Sequence, residues 1–277
     1  MMENKDALNR LDLIRQRRSV RTFDGAAPDP EALAQLMDFA GKLENPYDIP
    51  IEWKLLDAKR DGLSSPVISG TDTYIAGKLR RVEHAEEAFG YAFEKLVLYA
   101  LSLGLGTTWI AGTMDRAAFE HAMRLGPDEV MPCVSPLGRP AARMSLRETM
   151  MRKGIRADSR AAFETLFFDG SFDRPLTPAA AGKLACALEM VRLAPSAVNK
   201  QPWRVLVCGD TAHFYEKSSR GYTAGDGWDI QRIDMGIALC HFEIGAAESG
   251  GRVTLTVEDP GLPAEGLAYT ASMKAEF

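Results

Sequence analysis

The sequence predicts an α+β fold made of two tandem copies of one unit, packed as a pseudo-two-fold fused dimer. Three short matches recur in the same order in both halves of the 277-residue chain, about 145 to 150 residues apart. Solenoid repeats have periods of roughly 20 to 50 residues, so this longer period indicates duplication of a whole unit. We place the first copy at residues 1–160 and the second at 161–277.

The three matches span different parts of the unit. A Phe-Asp-Gly triplet comes first, a helix leading to a tryptophan follows, and a long apolar helix comes last. Three ordered matches at a nearly constant offset are not expected by chance. They pair 23–25 with 168–170, 30–53 with 178–203, and 90–104 with 236–250.

The sequence predicts the same series of elements in each copy. These are a helix, a strand at the tryptophan, an irregular middle, a long apolar helix and a closing strand. The candidate strands are rich in β-branched residues, as strands usually are. We expect the elements at about 31–43, 52–58, 85–104 and 107–112 in the first copy, and at about 179–194, 203–209, 233–250 and 252–258 in the second.

Composition and charge exclude several protein classes. With 46% hydrophobic residues the chain can bury a core, which excludes disordered and collagen-like proteins. A net charge of -5 argues against a dedicated nucleic-acid binder, because such proteins contact phosphates through many Lys and Arg side chains. The four cysteines form no Cys-x-x-Cys pair, so we expect neither a metal site nor a disulfide framework.

The sequence also indicates a cytoplasmic protein. Its N-terminus is polar and lacks the apolar segment of a signal peptide. The uncharged run 96–114 approaches the roughly 20 residues that a bilayer requires. However, glycines at 104 and 106 divide this run into a helix and a strand-like piece, so we expect no membrane span.

A basic cluster near the N-terminus has no counterpart in the second copy. Guanidinium groups donate paired hydrogen bonds that match phosphate oxygens, and a serine hydroxyl adds another donor. The cluster is therefore a candidate phosphate clamp, and a solvated charged helix end is the alternative. It consists of Arg17, Arg18, Ser19 and Arg21, and the second copy has Ala162, Phe163, Glu164 and Leu166 at the equivalent positions.

The loop 194–203 is a second candidate segment, and it occurs only in the second copy. Two prolines restrict its backbone, so that Ser196, Asn199 and Gln201 can project from a rigid loop. Amide side chains carry both donors and acceptors, which suits the edge of a polar heterocycle. The first copy has a different loop at 45–52. A helix stop followed by a turn is the alternative reading of the segment.

The glycine-rich segment 104–112 is the third candidate. It is not the dinucleotide-binding fingerprint, because it follows a helix instead of a strand and has Trp109 at the third glycine position. The small residues Ala111 and Gly112 would let a backbone N–H approach a flat ligand. Tight packing between a helix and a strand explains the glycines equally well.

Together these segments resemble the nitroreductase family of flavoproteins. The resemblance rests on Arg17–Arg21, on the loop 194–203, on the helix start Asp234–Ala238 and on the glycine-rich segment 104–112. In the usual family member the loop precedes the Gly-Leu-Gly segment, whereas here it follows in the second copy. The chain is therefore similar to the tandem "TM nitroreductase" subgroup, in which one chain folds as a fused dimer.

The resemblance implies one FMN per chain, because each part of the composite site is retained in one copy. It implies that Arg17, Ser19 and Arg21 bind the FMN phosphate and that Arg18 adds backbone or ribityl contacts. In the loop, Asn199 and Gln201 would bind the ribityl chain or the pyrimidine edge of the flavin. Further implied positions are Pro195 and Ser196, which shape the loop, and Ala111 and Gly112, where the N–H of Ala111 faces flavin N5.

One further position departs from the family pattern. The family carries a late basic pair near the end of the unit, and Arg160 aligns there as a candidate phosphate ligand. Asp158 stands where a cation is expected, and Arg156 is the nearby basic residue that could compensate.

The implied activity is transfer of reducing equivalents from NAD(P)H to a small acceptor, aromatic or quinone-like. No side chain is identified as an obligatory catalytic acid or base, because the flavin performs the chemistry in such enzymes. The expected state is a monomer acting as a fused pseudo-dimer, with no nucleic-acid or membrane partner. The alternatives are an FMN carrier or pseudoenzyme without turnover, and a structural module whose arginines form a solvated face.

Overall fold

The computed structural model describes residues 9–222 and 228–277. The chain divides into two compact units, Met1–Arg156 and Ala157–Phe277. Each unit combines helices with its own sheet, so the predicted α+β class is confirmed. The predicted copy boundary after residue 160 and the pseudo-two-fold packing of the copies stay predictions.

The N-terminal unit contains a four-stranded sheet centred on its second strand. Strand β2 pairs antiparallel with β1 on one side, and with β4 and β3 on the other. The helices are α1 (Arg10–Gln16), α2 (Pro30–Ala40), α3 (Ala58–Asp61), α4 (Ala85–Ser102), α5 (Arg116–Met123) and α6 (Leu146–Gly154), and the strands are β1 (Glu52–Asp57), β2 (Thr73–Arg80), β3 (Glu129–Val130) and β4 (Val134–Leu137).

The core of this unit forms where the predicted long apolar helix, α4, packs against the tryptophan of β1. The ring of Trp53 lies 5.7 Å from that of Phe89 and 5.5 Å from that of Phe93. Gly77 on β2 leaves the space for this tryptophan, since a Cβ there would lie 2.4 Å from its ring. The packing of the strand tryptophan against the apolar helix thus involves two elements that the sequence predicted.

The C-terminal unit contains a five-stranded sheet with the order β5-β6-β7-β9-β8. Its β5–β6 pair is parallel and the other pairs are antiparallel. The α-helices are α7 (Ala185–Leu193) and α8 (Ile230–Glu248), and the strands are β5 (Phe167–Asp169), β6 (Trp203–Cys208), β7 (Thr211–Glu216), β8 (Arg252–Thr256) and β9 (Ala268–Glu276).

The two units repeat one strand connectivity, each within its own sheet. In the C-terminal unit β6 pairs with β7, β7 with β9, and β9 with β8. In the N-terminal unit β1 pairs with β2, β2 with β4, and β4 pairs through a bridge between Val134 and Ile110 with the segment that follows α4. The shared connectivity supports the interpretation of the sequence as a duplicated unit.

Several details of the sequence prediction are wrong. The predicted irregular middle contains a strand in both copies, β2 in the first and β7 in the second, and β9 follows the predicted closing strand of the second copy. The predicted strand 107–112 forms only isolated bridges, because the N–H of Thr108 donates to the hydroxyl of Ser135 (3.1 Å) instead of to a backbone oxygen. The predicted helix 179–194 becomes α-helical only at Ala185, because Gly182 takes a positive φ of 55° that no α-helix contains.

The other three predicted helices, α2, α4 and α8, agree with the prediction to within a few residues at their ends. The helices α1, α3, α5 and α6 are not among the predicted elements. Helix α2 ends at Ala40, with Gly41 as its C-cap. Among the helices of the described chain, none is both long enough and apolar enough to cross a bilayer.

Candidate functional site

The basic cluster lies in an extended segment that leaves α1. The side chain of Asn9 caps α1 by accepting from the N–H of Leu11 (2.8 Å), and the backbone becomes extended at Arg17 (ψ 126°). Ser19 bridges Thr107 in parallel, and the N–H of Val20 donates to the carbonyl oxygen of Thr107 (2.8 Å). The cluster is therefore fixed alongside the beginning of the segment that contains Ala111 and Gly112.

Arg17 is a buried guanidinium with unused donors. Its side chain is 7% exposed, and its Nε lies 3.9 Å from a carboxylate oxygen of the fully buried Glu94. Neither Nε nor Nη1 of Arg17 has a hydrogen-bond partner in the described structure. Burial lowers the pKa of Arg17, and the charge of Glu94 opposes that shift. Glu94 thus helps to keep this interior guanidinium charged.

Arg18 and Arg21 lie near a second buried carboxylate, that of Glu148 on α6. The Nη1 of Arg18 is 3.6 Å from Glu148, whose side chain is 1% exposed. The Nη1 of Arg21 is buried and has no hydrogen-bond partner among the described residues. Burial lowers the pKa of Arg21; Glu148 raises it and Arg152 lowers it further. The segment therefore contains buried guanidinium nitrogens, in Arg17, Arg18 and Arg21, that have no hydrogen-bond partner among the described residues.

Sequence reasoning missed both carboxylates. Glu94 also accepts a hydrogen bond from the indole Nε1 of Trp109 (3.2 Å), so it joins the basic cluster to the glycine-rich segment. The available signal was its position, because Glu94 is the one acidic residue of α4 after its first turn, and Lys95 is the one other charged residue there. An isolated acidic residue on a buried helix face usually has a cationic or hydrogen-bonding partner.

The glycine-rich segment leaves open space beside Gly112. A Cβ at Gly112 would have no atom within 4 Å, whereas a Cβ at Gly106 would lie 3.0 Å from Val20 and Pro140. The carbonyl oxygen of Ala111 accepts from Nη2 of Arg116 (2.8 Å). Close packing thus explains Gly106, and the open side of Gly112 is the part of this segment that a flat ligand could approach.

The loop 194–203 of the C-terminal unit is held together by its own polar side chains. The hydroxyl of Ser196 accepts from the N–H of Gln201 (2.8 Å). The amide of Gln201 accepts from the N–H of Ala161 (2.9 Å) and donates to the carbonyl oxygen of Asn199 (3.3 Å). Gln201 is 8% exposed, so this geometry gives its side chain a role inside the loop.

The same loop has a strained backbone. Val198, Asn199 and Gln201 have positive φ values of 51°, 58° and 51°, which residues with a Cβ rarely adopt. Such residues cost of order 1–3 kcal/mol each and cluster at functional sites. Pro195 follows the end of α7 and holds Ala194 extended (ψ 143°), as a residue before proline prefers.

Two further contacts connect the loop to the start of the C-terminal unit. The side-chain amide of Asn199 donates to the carbonyl oxygen of Ser159 (3.1 Å). Arg160 donates to three carbonyl oxygens, those of Ala157 (3.0 Å), Ser159 (2.8 Å) and Leu193 (3.2 Å from Nη2). Most donors of Arg160 are therefore used within the protein, unlike those of Arg17.

The family assignment comes from a comparison with known families. A model of the family described as "Putative TM nitroreductase" matches residues 9–246. The chain belongs to this family. The matched range includes both the basic cluster and the loop 194–203.

One solved structure shares the fold over nearly the whole chain. It is described as "a putative nitroreductase" from Thermotoga maritima MSB8, and the chain is 21% identical to it, with a TM-score of 0.62, over 99% of this chain and 97% of that one. An FMN-dependent nitroreductase from Clostridium difficile R20291 is 15% identical, with a TM-score of 0.41, over 51% of this chain and 94% of that one. No curated protein matches the sequence.

We expect the hydroxyl of Ser196 to stabilise the folded state of this TM nitroreductase. Ser196→Ala removes the acceptor of the Gln201 N–H at a buried position, and we expect a loss of about 1 kcal/mol in the free energy of unfolding. Urea denaturation of the variant and the parent measures the difference. Ser219→Ala, which removes a hydroxyl outside this loop, is the matched control; equal stability of Ser196→Ala and the parent would contradict the assignment.

Proposed function

We propose that this TM nitroreductase is an FMN-dependent oxidoreductase that transfers reducing equivalents from NAD(P)H to a small aromatic or quinone-like acceptor. The observation that carries the proposal is that Arg17 and Arg21, in one extended segment, both have buried side-chain nitrogens without a hydrogen-bond partner among the described residues. Unpaired buried donors are costly, so a pair of them indicates that an anionic partner binds there.

The donor set fits a phosphate monoester. Guanidinium groups bind phosphate oxygens in a forked geometry, and charge-assisted hydrogen bonds of this kind are about twice as strong as neutral ones. Arg17 and Arg21 would supply these bonds, and the half-buried Ser19 between them would add a hydroxyl donor. Nη1 of Arg18 is 3.6 Å from a carboxylate oxygen of Glu148. We therefore assign Arg18 the supporting backbone or ribityl contacts that the sequence resemblance implies.

In the C-terminal unit we assign the polar contacts of the cofactor to Asn199. Pro195 and Ser196 shape the loop that presents it, and Gln201 fixes that loop from inside. We assign Arg160 a structural role beside the loop, because it donates hydrogen bonds to backbone carbonyl oxygens there. Variants of the loop and variants of the basic cluster test these assignments separately.

Bound FMN would supply hydride and electron transfer, which no amino-acid side chain can perform. The residues of the chain would bind and orient it. Arg17 and Arg21 would hold its phosphate, and the backbone at Ala111 and the open side of Gly112 would let a flat ring system approach. We assign no side chain as a catalytic acid or base.

Reduction of the bound cofactor tests the proposal. The purified chain is incubated with FMN, separated from unbound FMN by gel filtration, and mixed with NADH or NADPH and menadione. We expect FMN-dependent consumption of at least one of the two nucleotides. Bound FMN that neither nucleotide reduces would instead identify an FMN carrier, and a chain that takes up no FMN would contradict the proposal.

A further inference from the structure

The strained conformation of the loop 194–203 requires contacts that stabilise it. Three of its residues that carry a Cβ have left-handed backbone angles, and Val198 among them is β-branched and 54% exposed. Left-handed angles are least favourable for β-branched residues, so the loop would relax unless the surrounding structure held it. The contacts at the first turn of the loop therefore decide its conformation.

A buried carboxyl group contacts this turn. Asp234 lies in the second turn of α8 and is 3% exposed. Both of its carboxyl oxygens lie 3.0 Å from the backbone N–H of Ala197. Ala197 begins the 3-10 turn Ala197–Asn199, which contains the first two left-handed residues. The N–H of Ala197 is thereby fixed to a helix in the core of the unit.

Burial of this carboxyl group is unfavourable by itself. Desolvation raises the pKa of Asp234 well above its ordinary value, the N–H of Ala197 opposes that shift, and the charges of Glu216 and Asp229 raise the pKa further. An apolar residue would fill the same place without this cost. What Asp234 supplies in return is an acceptor for the first N–H of the strained turn.

We infer that Asp234 is a positioning residue for FMN binding: it anchors the N–H of Ala197 and thereby fixes the turn that presents Asn199. This inference rests on the proposed function, from which FMN is taken as the ligand. Asp234 itself acts only through the loop, since its carboxyl oxygens are directed to Ala197. The bonds of Ser196 and Gln201 then fix the other end of the same turn.

Two substitutions separate the acceptor from the charge. Asp234→Asn keeps an oxygen that can accept from Ala197, and we expect its Kd for FMN to stay within about threefold of the parent value. Asp234→Ala removes the acceptor, and we expect its Kd to rise at least about tenfold. Flavin fluorescence titration gives the Kd. Asp229→Asn, which alters the N-cap of the same helix, is the control and should leave the Kd unchanged.

Hydrogen exchange of the parent protein provides a readout that needs neither FMN nor a folded variant. We expect the amide of Ala197 to exchange at least a hundredfold more slowly than an unprotected amide. Exchange at the unprotected rate would overturn the inference, as would a folded Asp234→Ala variant with the parent's Kd. If the parent binds no FMN, the proposed function fails, and the exchange of Ala197 still decides whether Asp234 holds the loop.

Discussion

Replacing Arg17 and Arg21 together by alanine is expected to raise the Kd for FMN by at least about a hundredfold. Each arginine would contribute a charge-assisted interaction with the phosphate worth about 1.5–3 kcal/mol. Their combined loss of about 3–6 kcal/mol corresponds to two or more factors of ten in affinity. The buried, unpartnered nitrogens of both side chains are the reason to expect so large an effect. Fluorescence titration with FMN measures it.

A matched control removes the same number of charges elsewhere in the N-terminal unit. Arg15 and Arg60 are exposed and pair with acidic neighbours on the surface, so the Arg15→Ala and Arg60→Ala double variant should bind FMN like the parent. Arg17→Lys with Arg21→Lys keeps the charge without the forked donors and should have an intermediate Kd. A folded double alanine variant with the parent's Kd would show that the phosphate binds elsewhere.

The second large effect concerns stability. Gly245 on α8 faces the backbone of α7, and a Cβ there would lie 2.6 Å from the Cα of Ala187 and 3.1 Å from the carbonyl oxygen of Cys186. Backbone atoms cannot move aside as a side chain can, so Gly245→Val must push the two helices apart. We expect a loss of about 3 kcal/mol or more, because overpacking of a close-packed core costs about 1–3 kcal/mol and occasionally more.

Gly154 on α6 is the matched control for this substitution. It is also helical, but a Cβ there would have no atom within 4 Å. Gly154→Ala should therefore leave the stability unchanged or increase it by up to about 1 kcal/mol, through the higher helix propensity of alanine. Thermal unfolding followed by circular dichroism compares the variants. A Gly245→Val protein as stable as the parent would mean that α7 and α8 do not pack this closely.

The sequence was sufficient for the fold class and for seven of the eight elements that it predicted, but it missed several strands and the shorter helices. The repeat and the apolar patterns predicted the long helices and the strands at Trp53 and Trp203, because these features depend on neighbours along the chain. It failed at 107–112, where the N–H of Thr108 donates to the side chain of Ser135, and only isolated bridges form, to Ser19 and to Val134. Pairing of that kind depends on residues distant in the sequence, which no local pattern contains.

The candidate site could be predicted only in part. The four residues of the basic cluster can be recognised as a candidate site from the local sequence alone, whereas the buried carboxylates near them cannot. Glu94 comes to Arg17 from a helix far along the chain, and Asp234 comes to Ala197 in the same way. Sequence reasoning also could not decide whether the amide of Gln201 faces outward to a ligand or, as the structure has it, inward to the loop. Tertiary packing makes that choice.

The stoichiometry of FMN binding tests the central claim most directly. Titration calorimetry of the parent chain with FMN should give one molecule bound per chain, and Arg17→Ala with Arg21→Ala, or Asn199→Ala, should each weaken that single binding event. Two molecules per chain would mean that the second copy keeps a complete site despite Ala162, Phe163 and Glu164. No heat of binding, together with a colourless protein, would contradict the account altogether.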